Sequence, residues 1–362
     1  MDIERRIELI TRAPVEEVVT IEELRELLQT KEHPSAYDGF EPSGIAHLGS
    51  GLLRAIKIAD LLEAGVKFKL FVADWHAWCN NKLGGSLENI QTAGKYLIEA
   101  WRACGVDTKK VEVVWASDVV KDPEYWKTVL AFSKASTVDR IKRCSTIIGR
   151  REGEMQYMSM FIYPLMQAVD PFFLKTEICQ LGMDQRRVYM LSRELGPKLG
   201  YNKPIVISHH LMIGLQGPSK MGGFDTNKAV DEEIASKMSK SIPNTAIFIH
   251  DSPEEIKKKI SEAFCPAKQT EENPILEICK YIVFRKQKSL NIDRPAKFGG
   301  PLEFSGYEEL EKAFREGLHP ADLKTAVSDS IIKILEPVRK HFEKDKTAKK
   351  LLEQVKGFSV TR

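Results

Sequence analysis

Short apolar runs alternate with longer stretches of helical periodicity, and this constrains the chain more than any other feature. Strands separated by helices pair in parallel through right-handed crossovers. The alternation starts at Ala36-Tyr-Asp-Gly-Phe-Glu-Pro-Ser-Gly-Ile-Ala-His-Leu-Gly-Ser50, where an apolar run ends in a Pro/Ser/Gly turn. From Leu48 the apolar residues recur through Leu52, Ile56 and Ala59, with Gly65 as the helix stop. Residues 66–73 and 111–115 read as further strands with a helix over 86–103 between them, and 204–208 reads as the last core strand. The pattern predicts an α/β fold, a Rossmann-like parallel sheet whose ligand lies at the carboxyl ends of the strands.

Residues 2–12 and 20–29 read as helices, the second opened by a capping box from Thr20 to Glu23. The first 30 residues are therefore expected as an N-terminal helical extension, packed outside a catalytic domain of residues 31–249. Between about 117 and 160 the alternation lapses into helical segments carrying Arg140, Arg143, Arg150 and Arg151, and the sheet pattern resumes near Phe172. Residues 217–236 carry glycines and no apolar periodicity; they read as a mobile loop, extending to about 245, suited to closing over a ligand. From Asp251 the character changes. Ser252-Pro-Glu-Glu255 opens a series of helices near 253–264, 274–284, 307–316, 320–337 and 339–355, so residues 250–362 are expected as a C-terminal α-helical domain.

At 362 residues with 43% hydrophobic content, the chain can fill two cores. Its net charge of +3 is too small for bulk charge to mark a nucleic-acid binder; any such surface must come from local clustering of Lys and Arg. No apolar run approaches the roughly 20 residues that span a bilayer, and the start lacks a signal-peptide core, so a cytoplasmic protein is expected. The six cysteines form no C-x-x-C pair and have no histidine at metal-ligand spacing, which predicts reduced thiols and no structural zinc.

A strand–turn–helix unit aims unpaired N–H groups at whatever sits above it, and phosphate is the natural guest. In this turn His47 can donate a hydrogen bond without full charge, although a histidine before a helix also serves as a cap. Gly49 removes the side chain that would hold a flat ligand off the backbone. A second basic stretch lies far downstream at Lys237-Met-Ser-Lys-Ser241, after a partial echo at Ser219-Lys-Met-Gly-Gly223. A third informative stretch is Tyr163-Pro-Leu-Met-Gln167-Ala-Val-Asp170. On a helix its Tyr163, Gln167 and Asp170 share one face, and buried polar groups of that kind are costly unless something binds them.

His47-Leu-Gly-Ser50 and Lys237–Ser241 together resemble the paired HIGH and KMSKS signatures of class I aminoacyl-tRNA synthetases. The second match is identical, while the first departs at its last position, where Ser50 replaces the usual histidine. The 163–170 run, Tyr37 and Gly182-Met-Asp-Gln185 resemble the tyrosyl-tRNA synthetases of the archaeal and eukaryotic type, over nearly the whole chain. That resemblance implies ATP-dependent activation of L-tyrosine and its transfer to tRNA(Tyr), by a homodimer. Tyr37 and Asp170 would meet the phenol, and Tyr163, Gln167, Gln185 and, more weakly, Asp74 the α-amino end. Asp184 would take the ribose. Gly39, His47, Gly49, Lys237, Met238, Ser239, Lys240 and Ser241 would surround ATP, with His47, Ser50, Lys237 and Lys240 catalytic and Mg²⁺ carried on the phosphates. Phe298, His319 and Asp322 would read the anticodon, while Arg140, Arg143 and Arg186 would meet the acceptor stem. His319-Pro320 also reads as a plain helix start. Three alternatives stand beside this reading: a tryptophanyl-tRNA synthetase, a catalytically weakened synthetase-like RNA-binding protein, and a nucleotidyltransferase of the pantothenate-synthetase kind.

Overall fold

The structure, a computed structural model, describes residues 1–149, 154–219, 228–240 and 242–359. Its centre is a six-stranded sheet of β1 (Val15–Val19), β2 (Ser35–Phe40), β3 (Lys67–Val72), β4 (Val111–Trp115), β5 (Ile178–Gly182) and β6 (Ile205–His209), in the order β1-β6-β5-β2-β3-β4. All neighbours pair in parallel except β1, which runs antiparallel to β6. Strands β5 and β6 are buried along their whole length, as expected of parallel strands covered on both faces. The chain winds outward from β2 to β4, then returns to place β5 on the other side of β2. The order therefore reverses between β2 and β5, where an open α/β sheet leaves a crevice at its carboxyl edge.

The N-terminal region departs from the helical extension expected of it. Its two helices, Ile3–Thr11 and Ile21–Thr30, are present, and the capping box forms at both ends: Glu23 N–H donates to Thr20 Oγ1 at 3.2 Å, and Thr20 N–H to Glu23 Oε2 at 3.3 Å. Between them, however, β1 joins the sheet. The sheet also resumes later than expected, because Phe172 lies in the helix Met158–Phe173 and β5 begins at Ile178.

That helix continues through Pro164 and Pro171 and keeps its Tyr163, Gln167 and Asp170 on one face. The stretch expected as a loop contains the helix Lys228–Ser236. Beyond 250, helices Pro253–Glu262, Pro274–Ile278, Tyr307–Glu316, Pro320–Lys344 and Lys346–Lys356 follow, with a hairpin of β7 (Leu290–Ile292) and β8 (Leu302–Phe304) that was not foreseen. The break placed at Pro337 lies instead at Asp345, whose carboxylate caps the last helix. One apolar cluster runs from the sheet domain into these helices, through Tyr96, Phe342 and Val355. His250 joins it, its ring edge-on to Phe342.

Candidate active site

A cavity of about 540 Å³ opens at the β2/β5 reversal. Strand β2 supplies Tyr37, Asp38 and Gly39, and β5 supplies Leu181 and Gly182. Helix Met158–Phe173 supplies Tyr163, Gln167 and Asp170, and the segments around 47–54 and 237–240 complete the wall.

At the inner end Asp170 is 1% exposed. Its Oδ1 accepts from the Tyr125 hydroxyl at 2.9 Å, and its Oδ2 lies 3.0 Å from His76 Nε2, a close approach without hydrogen-bond alignment. No lysine or arginine pairs with it among the described residues. Tyr37 donates to Tyr189 Oη at 2.8 Å, and Gln167 Nε2 reaches both Gln185 Oε1 at 3.0 Å and Tyr189 Oη at 3.5 Å. Burial pushes the Tyr37, Tyr125, Tyr163 and Tyr189 hydroxyls well above their ordinary range, so all four stay protonated. The inner end is thus a nest of neutral hydroxyls and amides around one carboxylate.

Asp74 is set back from the cavity wall. Its carboxylate accepts from Trp75 N–H and Ser117 N–H at 3.0 Å each and from Gln91 Nε2 at 3.1 Å, and it does not line the cavity. It fixes the start of helix Asp74–Cys79, whose next turn carries His76 into the wall. Sequence reasoning passed over His76, Tyr125 and Tyr189. Tyr189 was within reach, because it follows Gln185 by four residues onto the same helical face. Tyr125 sits in the segment where strand–helix alternation fails and carried no signal.

At the outer end His47 Nδ1 accepts from Gly49 N–H at 3.2 Å, which leaves Nε2 to carry the proton. Burial, with Lys240, Lys237 and Arg54 adding to it, lowers this imidazole to about 3. It is therefore a neutral donor. A Cβ at Gly49 would meet the His47 ring at 3.2 Å, so glycine keeps the ring in place as well as the backbone open. Ser50 Oγ accepts from His47 N–H at 3.1 Å, which stabilises the turn, and Ser50 lines the cavity. Lys237 Nζ is paired with Asp184 Oδ2 at 2.6 Å, which brings the residues expected on phosphate and on ribose into direct contact. Lys240 Nζ donates to Ser43 Oγ at 2.8 Å, and burial lowers it to about 8. Met238 is buried and Ser239 lines the cavity, while Ser241, Arg150, Arg151 and residues 220–223 lie outside the described residues.

Two further groups at this mouth were missed. Arg54 donates to Asp38 Oδ2, and Gln180 Nε2 reaches the same oxygen at 3.3 Å. Burial outweighs both and raises the Asp38 carboxyl to about 6.

The residues expected on RNA are dispersed. Arg186 is bound bidentately to Glu17 of β1, at 2.5 and 2.8 Å, which accounts for it as a clamp holding β1 to the sheet. Arg140 pairs with Glu194 at 3.2 Å, and Arg143 is exposed. Phe298 is 59% exposed with Lys297 Nζ 4.9 Å from its ring centre. His319 caps helix Pro320–Lys344, its Nδ1 accepting from Ala321 N–H at 3.2 Å. His319 therefore starts the helix, and Asp322 lies half-buried in its first turn. Among the described residues no group of three His, Cys, Asp or Glu side chains converges as a metal site, and no helix is long and apolar enough to cross a membrane.

Comparison with known proteins sharpens this geometry. The pattern of tRNA synthetases class I (W and Y) matches residues 29–233 and 226–336. The chain is 44% identical to the tyrosine–tRNA ligase of Pyrococcus horikoshii over 98% of its own length and 99% of that protein, and 44% identical to that of Saccharolobus islandicus over 100% of both. Among solved structures, the P. horikoshii tyrosyl-tRNA synthetase complexed with L-tyrosine superposes with a TM-score of 0.90, covering 98% of this chain and 100% of the other. The tryptophanyl-tRNA synthetase of Aeropyrum pernix K1, 18% identical with a TM-score of 0.69, shares the fold.

Proposed function

This chain belongs to the class I tRNA synthetases of the tryptophan and tyrosine group, and on that premise we propose that it is a tyrosine–tRNA ligase. It activates L-tyrosine with ATP to tyrosyl-adenylate and transfers the tyrosyl group to tRNA. The observation that carries this reading is one cavity joining a buried carboxylate nest to a cradle of phosphate donors. The tryptophan alternative is weaker. An indole has no hydroxyl to pair with both Asp170 and Tyr37, which lie together at the inner end.

A phenol hydroxyl entering that end donates to Asp170 and accepts from Tyr37, whose proton swings away from Tyr189. Phenylalanine would leave both partners unpaired in a closed space. Gln167 and Gln185, already bonded to each other, offer amide oxygens to the substrate ammonium, with Tyr163 beside them. The tyrosine carboxylate attacks the α-phosphate of ATP, and pyrophosphate departs. No protein nucleophile is required, so catalysis comes from positioning and from charge stabilisation on the phosphates. The Nε2–H of His47 and the ammonium groups of Lys237 and Lys240 supply that stabilisation. Lys237 exchanges its contact with Asp184 for phosphate, and the Asp184 carboxylate meets the ribose. Gly39 and Gly49 leave room for the nucleotide, and Mg²⁺ would arrive carried on the phosphates.

In the second step a hydroxyl of the terminal ribose of the tRNA attacks the carbonyl carbon of the adenylate, forming the ester as the bond to the phosphate breaks and AMP departs. Phe298 offers a stacking face for an unpaired anticodon base, with His319 and Asp322 as edge contacts. Arg143 and Arg140 remain the candidates for acceptor-stem phosphates. We place the enzyme in the cytoplasm as a homodimer. The test is ATP–pyrophosphate exchange with tyrosine, with tryptophan and with no amino acid. Exchange that depends on tyrosine is expected; exchange with tryptophan would move the specificity, and silence with both would leave only an RNA-binding protein.

A further inference from the structure

One charged cluster at the edge of the cavity has no part in substrate contact as described, yet it ties three distant segments to the nucleotide loop. His210 follows β6 and sits between two carboxylates, its Nδ1 2.6 Å from Glu16 Oε1 and its Nε2 3.0 Å from Glu277 Oε1. Glu16 belongs to β1 and Glu277 to helix Pro274–Ile278 of the C-terminal region. The ring of Tyr281 lies 5.0 Å from the imidazole. Burial alone would strip His210 of its charge, but the hydrogen bond to Glu16 and the close carboxylate of Glu277 raise it to about 10. It is an imidazolium throughout the neutral range.

The second oxygen of Glu277 extends this cluster to the catalytic loop. Glu277 Oε2 accepts from Ile213 N–H at 2.9 Å. Ile213 in turn forms an antiparallel bridge with Lys237. Gly214 N–H donates to the Ser236 carbonyl at 2.8 Å, and Met238 N–H to the Met212 carbonyl at 2.7 Å. The backbone that carries Lys237 is thus registered against residues 212–214, and that strip is anchored through Ile213 to the C-terminal region.

We propose that Glu277 and His210 are positioning residues for tyrosine activation, setting from the C-terminal region the backbone register that aims Lys237 at the nucleotide phosphates. Glu277 supplies the acceptor that fixes Ile213, and His210, held by Glu16, fixes Glu277. Lys237 contributes only when correctly aimed, because misplacement of a catalytic group by about 1 Å costs on the order of a hundredfold in rate. The inference rests on the activation reading above.

The test compares Glu277→Ala and Glu277→Gln in the full-length enzyme. Two quantities are read: tyrosine-dependent ATP–pyrophosphate exchange, and amide hydrogen exchange at Ile213, Gly214 and Met238. The alanine variant is expected to lower kcat about tenfold to hundredfold with the KM for tyrosine unchanged. It should also speed exchange of those three amides while the amides of β3 keep the parent's protection. The glutamine variant keeps an oxygen as acceptor for Ile213 but turns an amide NH₂ group toward the His210 imidazolium, so it should recover part of kcat and of the protection of the three amides. An alanine variant matching the parent in kcat and in the three amides overturns the proposal, as does a glutamine variant no better than alanine. If the parent shows no tyrosine-dependent exchange, the activation reading fails by itself, and the hydrogen exchange still decides whether Glu277 fixes the loop. Should the alanine variant fail to fold, Glu277→Asp, one methylene shorter, carries the same comparison.

Discussion

The two ends of the cavity are built on opposite plans. The inner end is assembled from regular elements, β2 and the helices Met158–Phe173 and Arg186–Leu195, and its hydroxyls, amides and carboxylate are bonded to one another, with the buried His76 ring left without an aligned partner among the described residues. The outer end joins the edge of β2 to the turn around 47–54 and the 237–240 segment, far apart in sequence, and its charges include two held pairs, Lys237 with Asp184 and Arg54 with Asp38. A site that discriminates gains from rigidity, because a wrong ligand then leaves buried groups unpaired. A site that stabilises developing charge gains from cations whose contacts improve as the reaction proceeds.

The comparison breaks most visibly at the outer end. Lys237→Ala is expected to lower kcat for tyrosine-dependent exchange about 10²- to 10³-fold while leaving the KM for tyrosine unchanged. Steady-state exchange kinetics check this, and a change confined to the KM for ATP would place Lys237 in ground-state binding. At the inner end Asp170→Ala should reduce the preference for tyrosine over phenylalanine about a hundredfold, the value of a hydrogen bond to a buried charged group. Tyr125 keeps a second acceptor in the Met166 carbonyl at 3.3 Å, so the variant tests selectivity more than folding. Parallel exchange assays with the two amino acids give the ratio.

Outside the cavity the expected effects are smaller. Phe298→Ala should lower kcat/KM for tRNA charging about tenfold, the cost of one stacked base, while leaving pyrophosphate exchange at the parent's level. The smallest effect is a pH limb. Burial lowers Lys240 to about 8, so its ammonium is present below that pH and is lost above it, and kcat/KM for ATP should fall severalfold as the pH rises past 8. In Lys240→Ala that limb should flatten. His47 contributes no limb between pH 5 and 8, because it is already neutral with a value of about 3.

What the sequence disclosed follows the same division. Periodicity marked β2, β3, β4 and β6, and the capping boxes at Thr20 and Ser252 form as read, because each is a local signal that packing reinforces. Strand β1 escaped notice. Val-Glu-Glu-Val-Val is short and carries two carboxylates, and it becomes a strand only because β6 offers an edge and Arg186 pairs with Glu17. The three-residue strands β7 and β8 are too short for any period to show. The shared helical face of Tyr163, Gln167 and Asp170 was legible from spacing, and His47, Gly49 and Lys237, singled out by their motifs, lie on the wall of the same cavity. Asp74 was named from its place after β3, and no spacing in the chain announces the three donors that its carboxylate takes from Trp75, Gln91 and Ser117. His76 and Tyr125 reach Asp170 only through tertiary folding, and no spacing in the chain announces them.

The most direct measurement is a crystal structure of the enzyme with a non-hydrolysable tyrosyl-adenylate analogue. The account predicts the phenol oxygen within hydrogen-bonding distance of both Asp170 and Tyr37, with the phosphate beside His47 and Lys237 released from Asp184. A phenol ring lying elsewhere, with Asp170 still occupied only by Tyr125 and His76, would contradict it.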